Sequence, residues 1–282
     1  MNTTLHAVES PLAETMEDFF RTKTSCDVAG TMSFFSPDLA TYTDATLGWH
    51  IDSFEALQAT FEQYMPNWGP PARSYSTGTF SNEHSALIHM VDTPELFGGE
   101  LRILAAVDFV DGKIVRWVDY WDATVFDADL YAQLRTPANV FPNDFKDDIV
   151  ATQAAPELVA VATALQSAFA ARDAEAATAL LHTDVVLEDM TLRTRHLGRI
   201  ETSAHLVRVL ADAPYGQASV LRHVVGGRRG GGFEWTAIDG LVGMAAIELD
   251  VDGLITRITS VYDGRQVPVE RRTSLLGATF AS

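Results

Sequence analysis

Hydrophobic and polar positions along this chain follow one order of patterns, and the order is given twice. From Leu12 to Phe35 apolar residues recur at helical spacing, break, and resume in a second short run; Pro156 to Leu181 does the same. Asp27 and Asp173 stand just ahead of the second runs, where a carboxylate oxygen caps a helix. Short alternating stretches follow, LATYTDA at Leu39 to Ala45 and VVLEDM at Val185 to Met190, and these predict strands. Helical periodicity returns over Ser53 to Tyr64 and over Glu201 to Leu210, and each half ends in several alternating runs. Val107 to Thr124 (VDFVDGKIVRWVDYWDAT) and Ile247 to Gly264 (IELDVDGLITRITSVYDG) match in order and spacing. Each carries an Asp-Gly pair, Asp111-Gly112 and Asp252-Gly253, between apolar runs, which is the strongest short-range signal for a β-hairpin.

Helices that precede a run of strands point to an α+β class rather than to a βαβ sheet. The repeat places one domain over 1–135, a linker over 136–155 and a second, diverged domain over 156–282. Pro137 and Pro142, with several Asp, Asn and Thr, give the linker its irregular character, and Pro156 closes it. A chain of 282 residues suits two domains of ordinary size.

Composition narrows the function classes. Apolar residues make up 47% of the chain, with 15 Phe, 5 Trp and 7 Tyr, enough for a core in each half. No run reaches the roughly 18 apolar residues of a membrane span, so no membrane partner is expected. The N-terminal segment MNTTLHAVESPLAETMEDFF has neither a basic region nor an apolar core of the secretory kind. Cys26 is the single cysteine, and a cytoplasmic location is expected. A net charge of −18, from 20 basic against 38 acidic residues, excludes a nucleic-acid partner and favours solubility. His84 and His89 do not share a strand face and have no carboxylate at ligand spacing, so neither a metal nor another cofactor is expected. GGRRGGG, Gly226 to Gly232, lacks the ending of a phosphate loop and reads as a flexible hairpin connection.

The string IVRWVDYWDATVFDADL, Ile114 to Leu130, resembles the limonene-1,2-epoxide hydrolase branch of the NTF2-like (SnoaL-like, ketosteroid isomerase-like) superfamily. The broader resemblance covers both halves and implies two tandem cone domains. Each would be a curved antiparallel sheet wrapped around helices, with an apolar pocket at one end. It also implies Asp119 as proton donor and Asp92 as base, with Tyr42-Thr43-Asp44 on the family's water-holding Tyr-x-Asn. Met90 falls where that branch has an arginine between its two acids. Without the guanidinium, two buried carboxylates repel, and at least one is neutral near pH 7. In the second half Asp189 matches Asp44, Leu187 replaces Tyr42, Ser260 replaces Asp119 and Asp263 matches Asp122. The Asp92 place falls near Glu234 or Trp235, and most of the constellation is gone.

Asp44, Asp92 and Asp119 lie on alternating segments beside Val107, Phe109, Ile114, Trp117 and Tyr120. An acid among such neighbours is desolvated, and its pKa rises toward the range of a general acid. Asp44 or Asp92 as base with Asp119 as donor repeats the division of labour in ketosteroid isomerase, and Tyr42 would orient water or a substrate oxygen. Trp49, Trp117, Trp121, Met90 and His50 are the candidate substrate-lining residues. The plainer alternatives are aspartates that cap turns, pair with Arg73, Arg102 or Arg116, or face solvent, tryptophans in the core or at an interface, and a surface histidine. The expected function is a cofactor-free acid/base enzyme, a cyclase, isomerase, dehydratase or epoxide hydrolase, acting on an apolar oxygenated molecule such as a polyketide, terpenoid or steroid. A non-catalytic binding or carrier protein and an assembly module are the alternatives. The tandem implies an intramolecular pseudo-dimer, with a homodimer as the other arrangement.

Overall fold

A computed structural model describes residues 10–280 of the chain, except 149, 151–153 and 217. Part of the N-terminal segment read as leaderless and part of the expected linker therefore lie outside the described residues. The first half runs α1 (Ala13–Thr24), α2 (Val28–Met32), β1 (Thr41–Asp44), β2 (Trp49–Ile51), α3 (Phe54–Tyr64), β3 (Ser74–Ser81) and β4 (Ser85–Asp92). It continues with the single-turn α4 (Pro94–Phe97), β5 (Leu101–Val110), β6 (Lys113–Tyr120) and α5 (Ala128–Leu134). The second half repeats it as α6 (Pro156–Ala171), α7 (Ala174–Ala179), β7 (Leu181–Asp189), β8 (Thr194–Leu197), α8 (Arg199–Val209) and β9 (Val220–Gly227). Then come β10 (Gly230–Thr236), β11 (Val242–Leu249), β12 (Ile255–Tyr262) and α9 (Val269–Phe280).

The helix corners show how closely the halves correspond. Cys26 and Arg172 both take left-handed backbone, at φ 57° and 59°. Cys26 N bonds Lys23 O and Asp27 N bonds Thr22 O, while Arg172 N bonds Phe169 O and Asp173 N bonds Ala168 O. Asp27 then accepts from Gly30 N and Asp173 from Ala176 N, capping α2 and α7 as the sequence implies. Asp27→Ala is expected to lower stability by about 1 kcal/mol, read as a shift of the urea midpoint. No shift would mean the cap adds nothing to the corner.

Each sheet has six strands, ordered β2-β1-β6-β5-β4-β3 and β8-β7-β12-β11-β10-β9. The sheets are mixed rather than wholly antiparallel, because β1 lies parallel to β6 and β7 parallel to β12. A parallel neighbour needs a long crossover, and the helix and strands between β1 and β6 supply it. Asp111 and Gly112 join β5 to β6 with φ of 51° and 73°, the doubly left-handed turn that matches strand twist.

One face of each sheet wraps its own helices. On the first sheet that face carries Ile88, Met90, Ile103, Ala105 and Trp117, packed against Met16, Phe19 and Phe20 of α1. The opposite faces of the two sheets meet through Leu87, Leu104, Ala106 and Val118 from one and Val225, Met244, Ala246 and Val261 from the other. Phe145, from the segment read as linker, is fully buried in the same cluster.

GGRRGGG is not a loose connection. Gly226, Gly227 and Gly230 to Gly232 are strand residues on either side of a tight Arg228-Arg229 turn. A Cβ on Gly227 would stand 2.2 Å from Ser81 O of the first half, so only glycine lets the backbones approach. Gly226 N also donates to Ser85 Oγ across the same contact, at 3.0 Å.

Candidate active site

Parallel pairing of β1 with β6 sets Tyr42 beside Trp117 and Asp44 beside Asp119. Alternation then turns all four side chains toward the helices, and Trp121, just past β6, joins them. Asp119 is 6% exposed. Its Oδ1 accepts from Trp117 Nε1 at 2.6 Å and its Oδ2 from Tyr42 OH at 3.2 Å. Tyr42 and Trp117 stack with their rings 17° apart. Burial pushes Asp119 up to about 7; the Trp117 bond and Lys23 oppose the rise, while the charges of Asp44 and Asp92 add to it. An acid poised there holds or releases a proton near neutrality.

Asp92 ends β4 on the same face, 3% exposed, and its partner was not foreseen. Lys23 of α1, 4% exposed, places Nζ 3.6 Å from Asp92 Oδ1. A cation therefore stands by the acids although Met90 fills the expected arginine place, and it comes from a helix instead of the strand. The signal was present: Met16, Phe19, Phe20 and Lys23 lie at helical spacing, so a lysine continues the apolar stripe.

Asp44 is differently bound. Its Oδ1 accepts from Thr46 N and Leu47 N and its Oδ2 from Trp121 Nε1, while burial raises it to about 6 against those bonds. Thr46 Oγ1 also bonds both the carbonyl and the amide of Trp121. The second half repeats this unit. Asp189 accepts from Leu192 N and Tyr262 OH, and Thr191 Oγ1 bonds the carbonyl and amide of Tyr262. A bond set kept where Asp119 has become Ser260 belongs to the turn. Asp44→Ala and Asp189→Ala are each expected to cost about 1–3 kcal/mol by orphaning buried donors, measured by thermal unfolding. Unchanged midpoints would contradict that structural role.

The second half's register is also settled. Ala245 pairs Ser260 and Phe233, as Ala105 pairs Asp119 and Ile88. Trp235 thus takes the Met90 place and Ala237 the Asp92 place, two residues beyond the Glu234–Trp235 neighbourhood read from the sequence. Glu234 points to the other face, toward Arg116.

Neither a family model nor a curated protein sequence matches this chain. Its likeness is to solved structures. A steroid Δ-isomerase from Pseudomonas aeruginosa is 19% identical over 46% of this chain and 93% of its own, with a TM-score of 0.36. A SnoaL-like protein of unknown function from Burkholderia thailandensis is 12% identical over 38% and 95%, at 0.35. An NTF2-like protein of unknown function from Cytophaga hutchinsonii is 10% identical over 37% and 84%, at 0.32. Each is matched by less than half of the present chain.

The remaining candidates divide between two faces. Met90 is buried on the face of Asp92, and Trp49, paired with Asp44, donates Nε1 to Leu134 O while stacking on Tyr64. His50 pairs with Thr43 and bonds Thr43 Oγ1 at 3.0 Å, so alternation puts it behind the sheet, away from Asp119. Arg116 also lies on that far face, where Asp108 and Glu234 hold it, and is not a partner of the three candidate acids. Two cavities stand apart from the acids. One, of about 730 Å³, lies between the halves against Arg102, Asp122, Asp189 and Arg193. The other, of about 480 Å³, lies outside α2 and α3, and Phe35 forms its wall toward Tyr42, 6.3 Å from that ring. Neither touches Asp119. Among the described residues no group of three or more metal-ligating side chains forms, and no helix is long and apolar enough to cross a membrane.

Proposed function

We propose that the first half, residues 1–135, is a cofactor-free acid/base enzyme of isomerase type acting on an apolar, oxygenated small molecule. The observation that carries this reading is Asp119, buried under Tyr42 and Trp117 and raised to about 7. Asp119 holds the transferable proton, Tyr42 fixes its orientation, and Asp92, with an oxygen free of hydrogen bonds among the described residues, is the base. Asp44 holds the turn beside them. The steroid Δ-isomerase likeness agrees with the reaction type but does not supply it. The aromatic face around Tyr42, Trp49, Trp117 and Trp121 suits a flat apolar body such as a polyketide, terpenoid or steroid. Residues 156–282 then act as an internal partner that covers the back of the first sheet, a pseudo-dimer within one chain.

A screen of epoxides, polyketide-like enols and Δ-enones by mass spectrometry tests the proposal. Turnover should appear with at least one class and fall as pH rises through about 7, because the donor must be protonated. Stabilisation by ligands with no product would replace the enzyme by a binding or carrier protein.

A further inference from the structure

The two halves place the same helix at their outer surface and give it different chemistry. α3 and α8 align residue for residue, because Leu57 N bonds Ser53 O just as Thr202 N bonds Gly198 O. Leu57 and Thr202 are then equivalent, and both are fully buried. Counting from them, Asp52, Glu55 and Glu62 of the first half stand where the second has Leu197, Ile200 and Val207. All six are exposed, Ile200 at 90%, Val207 at 70% and Leu197 at 60%. The fold accepts carboxylates at these positions in one half, so packing within the domain does not call for aliphatic side chains in the other.

On α8 the aliphatic residues form a stripe. Ile200, Ala204, Val207 and Ala211 follow one another at helical spacing, and all four are exposed. Neighbouring helices cover the flanks. Thr178 Oγ1 of α7 donates to Ser203 Oγ at 2.9 Å, and Arg208 Nε donates to Ala278 O of α9 at 2.9 Å. The stripe is the side left between them. Glu201 and Arg208 stand two turns apart and border it on the α9 side, so one edge of the stripe carries both signs of charge.

We propose that this face of α8 joins two copies of the chain as antiparallel helices about a two-fold axis beside Ala204. Antiparallel pairing brings Glu201 of each copy toward Arg208 of the other. It also sets the larger Ile200 and Val207 against Ala211 and Ala204, and the alanines let the helices approach. Charge selects a second copy over a basic partner. Two molecules of net charge −18 repel, and the stripe lacks the three acids that its duplicate on α3 carries. A basic partner would gain from acids there. The stripe is about 17 Å long, short against the roughly 1,000 Å² in total that a specific interface buries, so the dimer dissociates on dilution. This contact is independent of any chemistry at Asp119.

Sedimentation velocity of the intact chain over about 1–300 μM is the test, with a monomer–dimer equilibrium on the order of 10 μM expected. Ile200→Glu with Val207→Glu, which copies α3, should weaken that equilibrium at least about tenfold. Both positions are exposed, so the circular dichroism and the urea midpoint should stay those of the parent. Glu201→Arg should also weaken the dimer, and Arg208→Glu added to it should restore it, as antiparallel pairing requires. Should the glutamate variant fail to fold, a cross-link decides instead. In a Cys26→Ser background, bismaleimidoethane should join Ala204→Cys into a dimer but not Ala59→Cys, the equivalent position on α3. A chain monomeric throughout, a dimer indifferent to the glutamates, no restoration by the charge exchange, or equal cross-linking at both positions would overturn the proposal.

Discussion

Asp119→Asn is expected to lower kcat/KM on a responsive substrate by about 10²- to 10⁴-fold, the usual contribution of a positioned general acid. Asn keeps the shape: its Oδ1 can accept from Trp117 Nε1, and its Nδ2 can donate to the Tyr42 hydroxyl oxygen, so the loss reports the transferable proton more than the packing. The variant also carries a stability signature. Burial raises the folded pKa to about 7 from 3.8, so the folded chain binds this proton more tightly than the unfolded one. The stability contributed by protonated Asp119 is therefore present below about pH 4 and is lost as pH rises through about 7. Urea midpoints measured from pH 4 to 8 should fall less steeply in Asp119→Asn than in the native chain. A loss of kcat/KM under about threefold would remove Asp119 from the chemistry, whatever the stability data show.

Arg116→Met is expected to destabilise the chain by about 3–5 kcal/mol, the cost of breaking a buried pair and leaving its partners charged. Arg116 is fully buried between the sheets. Its guanidinium bonds Glu234 twice, at 2.8 and 2.9 Å, Asp108 at 3.2 Å and Phe145 O at 2.6 Å. Tyr120 OH donates to Glu234, and His223 Nε2 lies 2.9 Å from Asp108, so residues of both halves share one network. Burial works against the charge of His223, but its bond to Asp108 and the charges of Asp108 and Glu234 outweigh it and raise the pKa above 6.5. The stability this histidine adds is fully present below pH 6.5 and lost as pH rises through the higher folded value. His223→Gln should flatten that limb of the stability profile. If Arg116→Met costs less than about 1 kcal/mol, the apolar contacts of Leu87, Val118, Val225 and Met244 hold the halves together without the network.

Local signals in the chain were enough for the element order, the α+β class, the repeat and most turns. Periodicity, caps and Asp-Gly pairs act over a few residues, so the helix pairs, β1, β7, α3, α8 and the β5–β6 and β11–β12 hairpins could be read without knowing what packs on what, whereas β2, β8 and α4 were not read. The face of Asp119, Asp44 and Tyr42 was legible too, because alternation and the resemblance agree on it. Pairing between distant segments was not legible. The parallel β1–β6 contact, which sets Asp44 beside Asp119, depends on a crossover whose direction no local pattern encodes. His50 sat near the acids in sequence yet faces away, because its strand pairs out of phase with them. Lys23 was hidden as a lysine within an apolar helix stripe, and only the packing of α1 over β3, whose neighbour β4 carries Asp92, makes it the partner of that acid. The glycine run looked flexible because glycine permits disorder and close approach alike, and Ser81 O at 2.2 Å from a Gly227 Cβ distinguishes the two. Residue type and spacing thus assign which groups can do chemistry, while burial and strand pairing assign which of them meet.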